Sequence, residues 1–270
     1  MNVERLAAIR LFLVDMDGTF YLGDRLLPGA LDFVATVRER GADFLFLTNN
    51  SSRHRGQYAE KIRRLGLNIP DDKIFTSGEA TTLYLAHQKP GARVYLVGTP
   101  ALEAEFAAAG FQPVDRDPDF VVLGFDTTLT YAKLWRLCDL VRAGTPYIAT
   151  HPDLNCPTET GFMPDIGATL AFVETSTGRR PDVIVGKPYR PIVDALAAKT
   201  GLPVLAMGMV GDRLYTDVAM GAAGVTTILV LSGETRLEDV PGSPHQPDLI
   251  VQDLAELARM LRNLPARFTR

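Results

Sequence analysis

The chain has 270 residues, of which 46% are hydrophobic and 22% charged, and its formal net charge is −4. This composition is typical of a globular protein, and the small acidic charge gives no reason to expect nucleic acid or anionic lipid as a partner. No apolar run approaches the ~20 residues that a membrane span needs, and the start lacks a signal-peptide pattern. The two cysteines, Cys138 and Cys156, indicate a reducing compartment. We therefore expect a cytoplasmic protein of about two domains, without a nucleic-acid or membrane partner.

The first predicted strand is the apolar run 11–14, which leads directly into Asp15 and Asp17. A short continuous apolar run is typical of a strand buried on both faces of a parallel sheet. Ligands bind at the carboxyl ends of such strands, and two neighbouring carboxylates favour a site that holds a cation or a proton. An Asx turn, in which both side chains cap backbone amides, would explain the same two residues.

Strands and helices then alternate along the chain. A helical pattern over 30–41 precedes a buried strand at 43–47, which ends in the polar loop Thr48, Asn49 and Asn50. A basic amphipathic helix over 55–65 and a short strand at 73–76 follow. This alternation predicts right-handed βαβ units and a parallel sheet.

A second set of strands and helices occupies about 100 residues in the middle of the chain. The predicted strands lie at 93–97, 120–123 and 147–149, and a break at 178–181 ends the set. The last part carries a helix to residue 199, strands at 204–210, 225–231 and 248–251, and a final amphipathic helix. We predict an α/β fold with a core domain formed by 1–77 and 181–270 and a smaller inserted α/β domain, 78–180.

Polar groups follow other predicted strands as well. Thr48 offers a hydroxyl and loop amides, and Lys187 offers a compact charge suited to a phosphoryl oxygen. Asp212 ends a strand and Asp217 follows five residues later; carboxylates are the hard oxygen ligands that magnesium prefers. Each residue alone is more simply a cap or a solvated side chain. Together with Asp15 and Asp17 they predict one site for phosphate chemistry at the edge of one sheet.

These segments resemble the four ordered motifs of the haloacid dehalogenase superfamily: Asp15–Thr19 (DMDGT), Thr48, Lys187 and Gly211–Asp217 (GDRLYTD). Three features are similar to the NagD-type phosphatase branch: the loop Leu47–Ser51, the Gly186-Lys187-Pro188 segment and the insertion between the second and third motifs. The resemblance covers residues 9–261 and implies a Rossmann-like core with an α/β cap domain.

The resemblance also implies a role for each residue. The nucleophile that forms an aspartyl-phosphate is Asp15, and the acid/base is Asp17. The phosphate-binding residues are Thr48 and Lys187, with further contacts from Asn49 and Asn50. The cofactor is Mg²⁺, held by Asp15, the Asp17 carbonyl and Asp212, with Asp217 acting through water or by orienting a ligand.

The expected reaction is magnesium-dependent hydrolysis of small phosphate monoesters. The residues do not select the substrate among sugar phosphates, nucleotides, phosphoglycolate, glycerol phosphate and pyridoxal phosphate. Two alternatives use the same core: a phosphomutase, and a catalytically weak protein that binds phosphorylated ligands. The resemblance also implies a homodimer that is joined through the cap.

Substrate choice is expected to depend on the cap, and above all on the segment 151–167. This segment is polar and rich in proline, and it predicts a long functional loop. Its candidate specificity residues are His151, Asp153 and Asp165. Residues 126–128 precede a helix; they either cap it or make a contact that closes the cap.

Overall fold

The computed structural model describes residues 3–158 and 161–265. The helices in these ranges are α1 (Val3–Ala8), α2 (Ala30–Glu39), α3 (Arg55–Arg64), α4 (Ser77–Gln88), α5 (Pro100–Ala108), α6 (Tyr131–Arg142), α7 (Ile166–Thr177), α8 (Arg190–Thr200) and α9 (Leu254–Arg262). None of these described helices is both long enough and apolar enough to cross a membrane.

The strands are shorter than the helices and fall into two larger sheets and two hairpins. In chain order they are β1 (Leu11–Val14), β2 (Tyr21–Leu22), β3 (Arg25–Leu26), β4 (Asp43–Thr48), β5 (Ile74–Thr76), β6 (Arg93–Val97), β7 (Gln112–Pro113), β8 (Phe120–Leu123), β9 (Tyr147–Ala149), β10 (Asn155–Thr158), β11 (Gly161–Pro164), β12 (Val183–Ile184), β13 (Met207–Gly211), β14 (Thr226–Val230) and β15 (Leu249–Val251).

A six-stranded sheet has the order β15-β14-β13-β1-β4-β5, and a five-stranded sheet has the order β12-β9-β8-β6-β7. The pairings of β1 with β4 and β13, and of β14 with β13 and β15, are parallel. The pairings within the five-stranded sheet are parallel as well. The predicted α/β fold built on a parallel sheet is confirmed.

The chain forms two compact units. The first unit comprises the residues up to Leu47, Ala59–Phe75 and the residues from Leu196 onward; the second comprises Thr48–Tyr58 and Thr76–Ala195. Residues 48–58 and 181–195 thus lie in the second unit, whereas the predicted core domain included them. The assignment of catalytic and cap roles to two domains stays a prediction.

The core of the first unit is rich in aromatic side chains. Phe12 packs edge-on against Phe33 of α2, with ring centroids 5.5 Å apart. Phe20 packs against Phe46 with a centroid distance of 4.7 Å. Such edge-to-face pairs add to the stabilisation from apolar burial. They fix helix α2 and the turn after β1 on the sheet, and that turn carries Asp17.

The second unit has its own core, in which α6 and α7 pack on the five-stranded sheet around Tyr147 and Val173. Thr130 caps helix α6, since its hydroxyl accepts a hydrogen bond from the Lys133 amide at 3.3 Å. Asp126 instead accepts bonds from the amide and hydroxyl of Thr128, at 2.8 and 2.6 Å, and pairs with the Lys133 ammonium at 2.6 Å. Asp126 therefore orders the turn before α6 and does not cap the helix.

The prediction of a long loop over 151–167 was wrong. Strands β10 and β11 form an antiparallel hairpin within it, with Asn155 opposite Pro164 and Cys156 opposite Met163, and α7 begins at Ile166. Glu159 and Thr160 lie outside the described residues. Prolines within both strands conceal the hairpin, because proline argues against a strand unless the strand lies at an edge.

Candidate active site

Parallel pairing of β1 with β13 brings two of the predicted acidic residues to the same edge of the six-stranded sheet. Val14 lies opposite Val210, and the Asp15 amide donates a hydrogen bond to the Val210 carbonyl at 2.9 Å. Asp212 directly follows β13. Ligand sites of open α/β sheets lie at the carboxyl ends of the strands.

Three carboxylates converge at this edge. One carboxylate oxygen from each of Asp15, Asp212 and Asp217 lies within 4.8 Å of the other two. Asp212 and Asp217 are buried and Asp15 is half-buried. The structure thus brings together three of the acidic residues that the sequence predicts for the site.

Asp212 has one hydrogen-bonded and one unbonded carboxylate oxygen among the described residues. Its Oδ2 accepts a hydrogen bond from the Glu234 amide at 2.7 Å, but its buried Oδ1 has no hydrogen-bond partner within the described part of the chain. Burial, followed by the neighbouring charge of Asp217, raises the pKa of Asp212 to about 6. A buried carboxylate normally has hydrogen bonds or a counter-charge, so this geometry suits a bound cation.

Glycines allow the backbone to approach these carboxylates closely. A Cβ atom on Gly18, whose φ is +88°, would lie 2.3 Å from Asp212 Oδ2, and one on Gly233 would lie 2.0 Å from the same oxygen. A Cβ atom on Gly211 would lie 2.2 Å from Asp217 Cγ. Backbone therefore encloses Asp212 and Asp217, and these positions leave no room for a side chain.

Asp17 differs from the three clustered acids because its side chain is exposed. The Tyr21 hydroxyl donates a hydrogen bond to Asp17 Oδ2 at 3.4 Å, and the Gly18 amide donates to the Tyr21 carbonyl at 2.9 Å. The hairpin of β2 and β3 begins at Tyr21 and so supports the acidic turn. An exposed carboxylate held in this way can exchange protons with solvent or a leaving group.

Arg213 is a charged neighbour of the cluster that the sequence reasoning missed. Its Nε lies 2.9 Å from Glu234 Oε2, and the Tyr215 hydroxyl donates to Glu234 Oε1 at 2.9 Å. Burial alone would lower the pKa of Arg213, but the charges of nearby groups, Asp15 first among them, raise it above its ordinary value. Its position directly after Asp212 in the motif was the signal that could have identified it.

Thr48 is buried at the end of β4, where the chain leaves the sheet. Its Oγ1 accepts a hydrogen bond from the Asn50 amide at 3.1 Å. Asn50 Oδ1 accepts bonds from the Ser52 amide and hydroxyl at 2.9 and 2.7 Å, and its Nδ2 donates to Cys156 Sγ at 3.7 Å. The Asn50 side chain thus orders the 48–52 loop.

Lys187 and Asn49 are both buried, and the Asn49 side chain forms hydrogen bonds with the Lys187 backbone. Asn49 Oδ1 accepts from the Lys187 amide at 2.7 Å, and Asn49 Nδ2 donates to the Lys187 carbonyl at 3.0 Å. Asn49 Nδ2 also donates to Asp153 Oδ1 at 2.9 Å. The Lys187–Pro188 peptide bond is cis.

The three candidate specificity residues lie close together: one ligand atom from each of His151, Asp153 and Asp165 falls within 4.8 Å of the others. His151 Nε2 lies 3.0 Å from Asp165 Oδ1, and His151 Nδ1 lies 2.9 Å from Thr150 Oγ1. Asp165 Oδ1 also accepts from the Ile166 amide at 2.6 Å, which caps α7. His151 and Asp165 are buried, so their bonds hold the hairpin segment to α7.

Comparison with known proteins identifies the family to which the chain is similar. A model of the family described as haloacid dehalogenase-like hydrolase matches residues 12–112, and one described as HAD-hydrolase-like matches 184–257. A 5'-nucleotidase of Bacillus subtilis is 35% identical over 246 residues, which are 91% of this chain and 96% of that protein. An acid sugar phosphatase of Staphylococcus aureus is 38% identical over 248 residues, with coverage of 91% and 95%.

Solved structures match over similar lengths. The 4-nitrophenylphosphatase of Thermotoga maritima has a TM-score of 0.91 at 50% identity and covers 94% of this chain and 98% of its own. NagD of Escherichia coli has a TM-score of 0.85 at 34% identity, with coverage of 92% and 98%. A glycerol phosphate phosphatase of Mycobacterium tuberculosis in complex with magnesium has a TM-score of 0.87 at 33% identity, with coverage of 96% and 79%. The chain therefore belongs to the NagD-type phosphatase branch of the haloacid dehalogenase superfamily and is a hydrolase of phosphate monoesters.

Proposed function

We propose that the protein hydrolyses small phosphate monoesters in a magnesium-dependent reaction that passes through an aspartyl-phosphate on Asp15. The observation that carries the proposal is the cluster of Asp15, Asp212 and Asp217 at the carboxyl edge of the sheet. Its buried Asp212 Oδ1 lacks a hydrogen-bond partner among the described residues. In a phosphatase, such a cluster is suited to a cation that offsets the repulsion between a carboxylate nucleophile and a phosphate.

The donor set fits a hard divalent cation. Asp15 and Asp212 would supply charged oxygen ligands, the Asp17 carbonyl a neutral one, and Asp217 an outer contact that orients them. A bound Mg²⁺ would lower the cost of bringing the carboxylate of Asp15 to an anionic phosphoryl group. The relative from Mycobacterium tuberculosis, whose structure contains magnesium, supports this choice of ion.

The chain's own residues account for the steps. The Asp15 carboxylate attacks phosphorus, the ester P–O bond breaks, and Asp17 gives its proton to the leaving alkoxide. Asp17 then takes a proton from water, whose oxygen attacks phosphorus; the bond to Asp15 breaks and inorganic phosphate leaves. Lys187 and the Thr48 hydroxyl would bind the phosphoryl oxygens during both steps.

The substrate class is small phosphorylated metabolites. Relatives named 5'-nucleotidase, acid sugar phosphatase and glycerol phosphate phosphatase support this range without selecting one compound. The low cysteine content, Cys138 and Cys156 in 270 residues, supports the reducing, cytoplasmic setting that we propose. The homodimer through the cap stays a prediction.

The test of the mechanism uses the Asp17→Asn variant with 4-nitrophenyl phosphate and Mg²⁺. A nitrophenolate leaves without a proton from the enzyme, so the first step should proceed while attack by water slows. We expect a burst of about one nitrophenolate per active site, followed by slow turnover. The Asp15→Asn variant should show neither burst nor turnover.

A normal rate in purified, folded Asp15→Asn would contradict the assignment of the nucleophile. A phosphomutase would retain the phosphoryl group for transfer to a second sugar phosphate, and release of free phosphate from single substrates separates the two reactions. A protein that only binds phosphorylated ligands would release no nitrophenolate.

A further inference from the structure

We infer that Asn49 is a positioning residue that acts through Lys187 and that its side chain is not a phosphate ligand. The inference deepens the proposed function and rests on the proposed role of Lys187 in holding phosphoryl oxygens. It starts from the hydrogen bonds of the side-chain amide of Asn49, a residue that is only 4% exposed.

The hydrogen-bond capacity of the Asn49 amide is already in use. An asparagine side chain has two N–H donors on Nδ2 and an acceptor oxygen. Both donors have acceptors, the Lys187 carbonyl at 3.0 Å and Asp153 Oδ1 at 2.9 Å. The remaining lone pair on Oδ1 cannot bind a phosphate oxygen, because both atoms are acceptors. The side chain therefore has no donor left for a phosphoryl group.

The same bonds fix the backbone on both sides of the lysine side chain. Asn49 Oδ1 accepts from the Lys187 amide at 2.7 Å while Nδ2 donates to the carbonyl of the same residue. One side chain thus pairs with Lys187 as a neighbouring strand would. Lysine has a flexible stem, and the direction of its Cα–Cβ bond follows from the backbone that these bonds hold.

The neighbours of Asn49 are arranged to keep the amide in place. A Cβ atom on Gly186 would lie 2.6 Å from Asn49 Oδ1, so the absence of a side chain there permits the close approach. The Ser77 hydroxyl donates to the Asn49 carbonyl. Asp153 accepts from Nδ2, and its own carbonyl accepts from the Gly167 amide at 2.8 Å in the first turn of α7. Asp153 therefore sets the orientation of the amide and connects it to the hairpin segment.

A double-mutant cycle of Asn49→Ala and Lys187→Ala tests the inference. The measurements are kcat and KM for 4-nitrophenyl phosphate at saturating Mg²⁺, with thermal unfolding as the folding control. We expect Asn49→Ala to lower kcat/KM by about 100-fold, the effect of a misplaced catalytic group. In the Lys187→Ala background the same change should cost less than about twofold, because the group that it positions is already gone.

Two results would overturn the inference. If the losses from the two single variants multiply in the double variant, Asn49 acts independently of Lys187. If Asn49→Ala retains parental kcat/KM while Lys187→Ala is impaired, the hydrogen bonds from Asn49 to the Lys187 backbone do not contribute to catalysis. A Lys187→Ala variant with parental activity would instead refute the proposed role of Lys187, so the two failures are distinguishable.

Asp153→Ala serves as a second, milder variant if Asn49→Ala does not fold. It keeps both bonds to Lys187 and removes only the acceptor that orients the amide. We expect a loss of about tenfold in kcat/KM that also disappears in the Lys187→Ala background; a loss that persists there would count against the inference. Asn68→Ala, which removes an exposed amide, is the matched control and should retain parental activity.

Discussion

At the residue scale, the central feature is a buried carboxylate, one oxygen of which has no hydrogen-bond partner in the described part of the chain. Asp212 has one bonded and one unbonded carboxylate oxygen, and Asp217 lies beside it. Such an arrangement costs stability in the metal-free protein and is relieved by a bound cation. We therefore expect the stability of the fold and the affinity for a divalent cation to be coupled at this residue.

We predict that Mg²⁺ raises the melting temperature of the parent protein and not that of Asp212→Asn. Ligand at 100 times its Kd stabilises a folded protein by about 2.7 kcal/mol, and each kcal/mol shifts Tm by roughly 2–4 °C in chains of this size. The metal-free variant should melt no lower than the parent, because the substitution removes repulsion from Asp217. Asp72→Asn, at an exposed position, is the control; an equal Mg²⁺ shift in Asp212→Asn would place the metal elsewhere.

The glycine beside Asp212 gives a second prediction at this scale. A Cβ atom on Gly233 would lie 2.0 Å from Asp212 Oδ2, so Gly233→Ala must displace the carboxylate. We expect kcat/KM to fall at least tenfold, since a displacement of about 1 Å can cost about 100-fold. Gly242→Ala is the matched control, because a Cβ atom there meets nothing within 4 Å. Equal activity of the two variants would show that the site tolerates the displacement.

At the scale of elements, helix α7 depends on a buried cap. Asp165→Ala removes both the bond to the Ile166 amide and the partner of His151 Nε2. We predict a loss of about 2–4 kcal/mol in unfolding free energy, the sum of a lost N-cap and a buried polar group left unpaired. Urea unfolding measures it, with the exposed cap variant Thr130→Ala as a reference that should lose about 1 kcal/mol. Equal losses would show that His151 does not depend on Asp165.

Elements with a clear hydrophobic pattern were predictable, and short paired elements were not. Helix α9 follows from its periodic apolar residues, and all four of Leu254, Leu257, Ala258 and Leu261 are buried. The two-residue strands β2 and β3 are too short for a periodic signal. Residues Val218–Ala223 form a 3₁₀-helix and not an α-helix, a distinction that residue type alone does not encode.

The same limit applies to the candidate site. The acids at the carboxyl ends of β1 and β13 could be placed together, because parallel neighbouring strands end at one edge. The bonds from Asn49 to Lys187 could not, since they join residues 138 positions apart and depend on the conformation of two loops. Likewise, Asp165 is a plausible specificity residue by sequence alone, whereas its burial depends on how the hairpin packs.

At the scale of the whole molecule, the two compact units contain different parts of the proposed chemistry. Asp15, Asp17, Asp212 and Asp217 belong to the first unit, and Thr48, Lys187 and the hairpin of β10 and β11 belong to the second. The hairpin therefore supplies no acid, base or nucleophile to the proposed mechanism. Its exposed side chains can change without altering the reacting carboxylates, and relatives named for different substrates fit such a division.

Phe162 is the strongest candidate for a substrate contact in this hairpin, because its side chain is 74% exposed whereas His151 and Asp165 are buried. Binding of the non-reacting part of a substrate raises the rate for substrates that possess that part. We predict that Phe162→Ala changes the order of kcat/KM across a panel of nucleotides, sugar phosphates and glycerol phosphate. Activity toward 4-nitrophenyl phosphate should stay within about tenfold of the parent, or about 1.4 kcal/mol in barrier.

Leu205→Ala, at an exposed position in the first unit, is the matched control for removing an apolar surface side chain. If Phe162→Ala lowers every rate by one large factor, the hairpin contributes to catalysis or to the fold, and thermal unfolding separates these two outcomes. If the order of substrates is unchanged, specificity depends on other residues. Leu154, which precedes β10 and is 65% exposed, is then the next position to vary, because it remains accessible to a substrate in the same segment.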